Sequence, residues 1–342
     1  MSATLEYLID RRGHRAGFDA PVVACCFDRA GQTAAFALGD GTLRLFDLAD
    51  ASWSSHEMHA AAVLALAADG APRGFITGGD DGAFRRLGAD GTVSDIARFP
   101  RRWVEHVAST EAGTLACAVG KTLHLFDAAG NALKSLEHPS SIGGICFDAR
   151  GKRIVASHYN GCTLWFVAAR TDSPRRLEWK GSHLAVAIHP EGEAVVSAMQ
   201  ENALHGWRLA DGQDMRMSGY PAKIQSLSFS RNGRWLATSG ADAVVLWPFF
   251  GGGPMGKAPM ELAGGSGVLV SAVACHPKQD VVAAGFTDGL VILADIATQR
   301  ILPVSPGGGA AISTLAWHPT GAFLATADEN GGAAVIDLTS KG

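Results

Sequence analysis

Three groups of residues in this 342-residue chain have types and spacings that invite chemistry. The first is Gly251-Gly252-Gly253-Pro254-Met255-Gly256-Lys257-Ala258, which matches a phosphate-cradling G-x-x-x-x-G-K except that Ala258 replaces the Ser or Thr that would hold magnesium. A phosphate loop also needs a helix after it, whose N-terminal amides face the phosphates, and here Pro259 and a strand-like run follow. A long connecting loop is the expected reading. The second group is His158, His183 and Glu201, whose side chains suit zinc if the fold brings them together. One His in each copy of a repeat is, however, already accounted for as structure. The third is six cysteines, Cys25, Cys26, Cys117, Cys146, Cys162 and Cys275. They lack C-x-x-C spacing and sit in apolar runs, which suits reduced core thiols and a cytoplasmic protein and leaves no paired ligands for structural zinc. No Gly-x-Ser-x-Gly elbow occurs, and no cofactor is expected.

What positions these residues is a repeat. The stretch GDGTLRLFD, 39 to 47, could be an acidic ligand loop or a tight turn feeding a half-buried strand. A ligand loop occurs once, whereas this pattern returns in degenerate form as DDGAFRRLG (80–88), VGKTLHLFD (119–127), YNGCTLWFV (159–167), QENALHGWR (200–208), GADAVVLWP (240–248), TDGLVILAD (287–295) and ENGGAAVID (329–337). Upstream of each run lies a hairpin such as ICFDARG (145–151), VAIHPEG (186–192) or LAWHPTG (315–321), and the turn glycines Gly151, Gly192 and Gly233 set a period of about 41 residues. His189, His276 and His318 fall in these hairpins and read as turn chemistry. Within each period, short runs of Val, Leu, Phe and Ala alternate with Gly, Asp, Asn and Pro turns, and no helical stripe persists. Each unit is four short antiparallel strands.

With these motifs the chain resembles the WD40 family over its whole length. Trp207 and Trp247 stand where the family's Trp belongs, with Phe46, Leu87, Phe126, Phe166, Ala294 and Ile336 in the other copies. The resemblance implies an all-β closed propeller, in which outer strands would lie near residues 4–9, 54–58, 92–97, 132–137, 175–179, 214–218, 259–263 and 300–304. TLEYLI, 4–9, would complete the last blade and close the ring. Eight copies predict eight four-stranded blades in a single domain spanning 1–342, with seven blades the alternative. The resemblance also implies a pairing of Asp81 with His59. Residues 199–221 and 253–259 are similar to a bacterial stand-alone group of such proteins encoded beside CobW-type metal-chaperone GTPases, which would imply a helper role in zinc trafficking.

Function is sought where the copies differ. Two loop sets emerge on one face of a propeller, and in copies four to six they carry Tyr159, Met199, Gln200 and Tyr220, with Arg101, Arg102 and Trp103 a second candidate on copy three. Aromatics, Met and Arg suit a protein-binding patch. The pair Arg175-Arg176 reads as a solvated loop. A net charge of −4 disfavours nucleic acid and anionic membrane as partners, and no run of apolar residues is long enough to span a bilayer. The expected function is a cytoplasmic, monomeric, non-catalytic scaffold that binds one or more proteins. The opposing class is an enzyme with its site at the mouth of the central channel.

Overall fold

In the stretch Gly39 to Asp47, the Asp40 carboxylate accepts hydrogen bonds from the Thr42 N–H at 2.9 Å and the Thr42 hydroxyl at 2.8 Å. Gly41 takes a φ of 90°, and a Cβ built on it would lie 2.0 Å from the Ala61 carbonyl oxygen, so only glycine fits. This turn passes the chain from the strand Thr33–Leu38 to Thr42–Asp47, where Leu43 and Phe46 are buried. Asp81 and Asp288 grip the N–H two residues on in the same way. The computed structural model describes residues 6–264 and 267–339, which are all β apart from one short helix, Leu8–Arg12.

Copy one shows the plan: Val22–Phe27, Thr33–Leu38, Thr42–Asp47 and Trp53–Glu57 pair in chain order as an antiparallel sheet. The fourth strand is largely exposed and the second fully buried. First strands of neighbouring copies pack on one another around the axis. They are also tied by side chains: the Ser226 hydroxyl donates to Val273 O at 3.1 Å, and Ser271 to Ile312 O at 2.7 Å. A buried apolar cluster lies between successive copies, as with Leu43, Met58, Val63 and Phe75 between one and two. The chain's ends close the ring through Phe36 and Leu38 against Ala325 and Val335. Each fully buried Phe or Leu contributes about 2–3 kcal/mol, so packing between copies is the main adhesive.

The expectation of eight separate four-stranded blades is corrected. The described strands form seven hydrogen-bonded sheets, six of four strands and one of six. The ring reaches seven sheets without discarding a copy, because copies four and five are joined in the six-stranded sheet. There, Arg153–Phe166 folds back at Asn160 and Gly161, whose φ values are 67° and 139°, and the Val167 N–H reaches Lys152 O at 3.0 Å. The next strand, Arg175–Ile188, pairs with copy four at Glu178 and with copy five at Val186. Elsewhere a connecting segment parts one copy's last strand from the next copy's first, as between Met217 and Leu227. Here the ladder with copy four ends at Ser182, opposite Tyr159, and the ladder with copy five begins at His183, opposite Met199, so no residue parts them.

The strand that joins the N-terminal part to the last sheet also differs from the expected 4–9. It is Gly13–Gly17, paired with Gly332–Asp337 from Gly13↔Ile336 to Gly17↔Gly332. Of the expected segment, Thr4 and Leu5 lie outside the described residues, and Leu8 and Ile9 belong to the helix. That helix turns its apolar side to the cluster of Val304 and Ile336.

Candidate functional site

The repeated polar residues are used up inside the fold. In copy two, His59 Nδ1 lies 2.9 Å from Asp81 Oδ1 and Nε2 lies 2.9 Å from the Thr77 hydroxyl, so the implied His–Asp pair is present. In copy four the Trp165 indole donates to His138 Nε2 at 3.0 Å. In copy six the Trp247 indole donates to the Tyr220 hydroxyl at 2.6 Å, and that hydroxyl lies 2.7 Å from Thr238 Oγ1. Each of these groupings, two triads and a pair, ties the connector leading into a copy to that copy's second or third strand. Burial holds His59 below its ordinary value, lowers His138 to about 4 with His158 adding to the effect, and pushes the Tyr220 phenol up to about 12. These groups are neutral structural members at pH 7.

On the opposite rim, where first and second strands meet, the hairpin histidines staple neighbouring copies. Nε2 of His189 lies 2.9 Å from Gly233 O, and Nε2 of His318 lies 2.8 Å from Gly31 O across the ring closure. The Nδ1 atoms accept from their own turns, from Glu191 N–H and Thr320 N–H, which leaves Nε2 to carry the proton and donate. The His276 Nδ1 atom accepts from Lys278 and Gln279 N–H. Copy four reaches copy five differently: Arg153, held by Asp148 at 2.8 Å, extends to Gly192 O at 3.4 Å. Thus the hairpin reading is extended to bonds between copies, which no single repeat reveals.

The candidates for chemistry are spent on other partners. Nδ1 of His158 meets Tyr159 O at 2.9 Å and Nε2 meets Thr163 Oγ1 at 2.8 Å; Nδ1 of His183 meets Ser197 Oγ at 2.6 Å and Nε2 meets Trp179 O at 2.9 Å. All four ring nitrogens are engaged, Glu201 is exposed, and no group of three His, Cys, Asp or Glu fit for a metal ion occurs among the described residues. Lys257 turns onto the carbonyls of Phe250, Gly251 and Gly253 and over the Phe250 ring, so its ammonium closes its own loop where a phosphate would need it. The cysteines are unbridged, and burial raises every thiol, Cys25 and Cys275 to about 12. That removes thiolate chemistry near neutral pH.

The candidate binding patch divides. Met199 is 5% exposed and Tyr220 9%, which places both in the interior, Tyr220 within its triad. Tyr159 is 54% exposed and Trp103 59%, and Gln200, Arg101 and Arg102 are exposed too. These loops are consecutive neighbours on one face. The Ile142 N–H donates to Gly120 O at 2.8 Å, beside the Arg102 loop; Tyr159 N–H donates to Ser140 Oγ at 2.9 Å; Gln200 N–H donates to Ser182 O at 2.9 Å. Beside Tyr159 opens a cavity of about 710 Å³ lined by Pro139, Ser140, Asn160, Arg176, Trp179 and Lys180, among others. Arg176 was missed as a site residue: Arg175-Arg176 reads as a solvated pair, although the outer strand expected at 175–179 is present and holds both. The signal was the run RRLEWK, in which the charged residues Arg176, Glu178 and Lys180 alternate with Leu177 and Trp179. Copy four's core aromatic was also misplaced by one residue: Trp165 is buried and Phe166 exposed, because that hairpin, closed from Lys152 to Val167, is a residue shorter than Gln32 to Leu48.

Residues 214–247 match the family described as WD domain, G-beta repeat, and residues 273–342 match the WD40 domain of anaphase-promoting complex subunit 4. The chain is 28% identical over 128 residues to Protein LST8 homolog of Drosophila melanogaster, covering 37% of this chain and 40% of that one. It is 26% identical over 155 residues to Autophagy-related protein 16 of Arabidopsis thaliana, covering 43% of this chain and 29% of the relative. The matched part thus spans less than half the length of these curated relatives. Among solved structures, a crystal structure of the computationally designed Ika8 protein superposes with a TM-score of 0.77 at 18% identity, covering 94% of this chain and 98% of that one, which speaks to the fold alone. No helix among the described residues is long and apolar enough to cross a membrane.

Proposed function

We propose that this β-propeller of WD40 repeats is a non-catalytic platform, a cytoplasmic monomer that binds partner proteins through the face carrying Trp103, Tyr159 and Gln200. One observation carries the reading. The polar groups that recur from copy to copy are bound inside the fold, whereas Trp103 and Tyr159 present large side chains that make no intramolecular hydrogen bond or ring contact among the described residues. Exposed aromatics beside arginines are the residue types that dominate binding energy at protein interfaces. Met199 and Tyr220 serve from below, holding the loops that present the patch. A role in metal trafficking would need a donor set, and the nitrogens of His158 and His183 are taken by Thr163, Ser197 and backbone oxygens.

The test is capture of a native partner from the host with the wild-type chain and with Trp103→Ala/Tyr159→Ala. Both positions are exposed, so folding is expected to be unchanged and capture lost. Capture that survives the double substitution would move the binding face elsewhere.

A further inference from the structure

The proposed binding face groups unpaired cations beside exposed aromatics, on a chain that is net negative, at −4. Most cations on its strands are matched: Arg85 with Asp95, Arg86 with Asp69, Arg153 with Asp148, Lys134 with Asp172. Arg101, Arg102, Arg176 and Lys180 are exposed and form no ion pair or side-chain hydrogen bond among the described residues. All four lie on one arc of the face, two beside Trp103 and two in the wall of the cavity beside Tyr159. Lys121, between the two groups, is already paired with Glu137 at 3.0 Å. The carboxylates nearby are Asp80 and Asp81, on the turn beside the Arg102 loop and half-buried, Asp81 held by His59; Glu105, half-buried behind Val104; Glu178 on the cavity wall; and Glu201 against Gly181. Among exposed, unpaired groups the four cations face two carboxylates, Glu178 and Glu201, and Trp103 and Tyr159 lie among the cations.

We infer that this arc docks an extended, acidic segment of a partner protein, its carboxylates on Arg101 and Arg102 at one end and on Arg176 and Lys180 at the other, with an apolar side chain seated against Tyr159. The inference rests on the platform reading and specifies the partner's chemistry. Guanidinium groups form two-pronged hydrogen bonds with carboxylates. The cavity of about 710 Å³ is large enough to take a side chain and its flanking backbone. Extended chain presents side chains alternately, so carboxylates and apolar groups can face the arc in turn. Single-stranded nucleic acid would share the cations and rings, and the test separates it from an acidic peptide.

The probe is a fluorescein-labelled peptide of about ten glutamates around one central leucine, compared by anisotropy with its glutamine counterpart and with a single-stranded oligonucleotide. The glutamate peptide should bind tightest and weaken with added salt. Arg101→Glu/Arg102→Glu and Arg176→Glu/Lys180→Glu should each weaken it at least about tenfold. Reversal of Arg150 and Lys278, on the opposite rim, should leave it unchanged, and melting curves check that all variants fold. Equal binding of the glutamine peptide, equal loss from the opposite-rim reversal, or preference for the oligonucleotide overturns the inference. A captured native partner that is lost with Trp103→Ala/Tyr159→Ala but kept by both arc reversals would leave the platform standing and remove the acidic segment.

Discussion

At the hairpin rim, His189 and His318 each spend one ring nitrogen on their own turn and the other on a glycine carbonyl of the next copy. At the opposite rim, Arg101 and Trp103 project from the loop and form no ion pair, side-chain hydrogen bond or ring contact among the described residues. The same repeat builds both, so the difference lies in what each position must satisfy. Hairpin groups are buried, and a buried donor or acceptor must be bonded or it costs about 1–3 kcal/mol. Loop groups are in water and carry no such obligation. The hairpin rim is constrained by the fold, and the loop rim is available for recognition.

The comparison breaks most visibly if the hairpin rim tolerates change. Gly321 has a φ of 81°, and a Cβ built there lies 2.0 Å from His276 Nε2. Gly321→Ala combines left-handed strain with a clash against the staple and should cost about 2–4 kcal/mol in urea unfolding. A cost under about 1 kcal/mol would mean that the imidazole slides aside and that the staple contributes little.

Tyr220 sharpens the boundary between the two rims, because sequence placed it on the binding face. Tyr220→Phe strands the Trp247 indole N–H and removes the partner of the Thr238 hydroxyl, a loss of about 2 kcal/mol with peptide binding intact. Loss of binding with stability unchanged would return Tyr220 to the patch.

Sequence placed the propeller but neither its sheet count nor its closing strand, and the patch only in part, for reasons these residues show. Repeat spacing, turn glycines and alternating apolar positions are local, and eight copies average out the weak ones, so the four-stranded unit was legible, while the His59–Asp81 pair followed from the family resemblance. Whether a loop aromatic points inward is decided by the facing copy. Tyr159 and Tyr220 both stand in loops beside Gly or Asn, yet only Tyr220 meets a Thr and a Trp. The joining of copies four and five was hidden for a related reason: it depends on two ladders meeting at Ser182 and His183, a detail that repeat spacing of about 41 residues does not resolve.

The buried imidazoles predict an acid response. Burial lowers His59, His106, His124, His138, His183, His205 and His276, and His138 falls from its ordinary 6.5 to about 4. A depressed histidine means that the unfolded chain takes up protons near pH 6.5 which the folded chain refuses. Stability is therefore full above about pH 6.5 and lost as the pH falls, with the His138 share exhausted near pH 4. Melting temperature followed from pH 7 to 4 should drop through that window, and His138→Gln should flatten the drop. An unchanged slope would assign the response to other groups.

The smallest expected effect separates display from folding within one residue. Arg101 holds a φ of 61°, while the turns between second and third strands in copies four and five, on the same rim, put Asn at the comparable angles of 67° and 51°, at Asn160 and Asn202. Asparagine tolerates the left-handed region, whereas other side chains with a Cβ pay about 1–2 kcal/mol there. Arg101→Asn should relieve part of that cost without glycine's added freedom in the unfolded chain, a gain of about 0.5–1 kcal/mol. It should also weaken the glutamate peptide, since one of four unpaired cations is gone. Stability up and binding down would show that this loop keeps an arginine against the preference of its own backbone. If both rise or both fall together, Arg101 belongs with the hairpin residues, held by the fold.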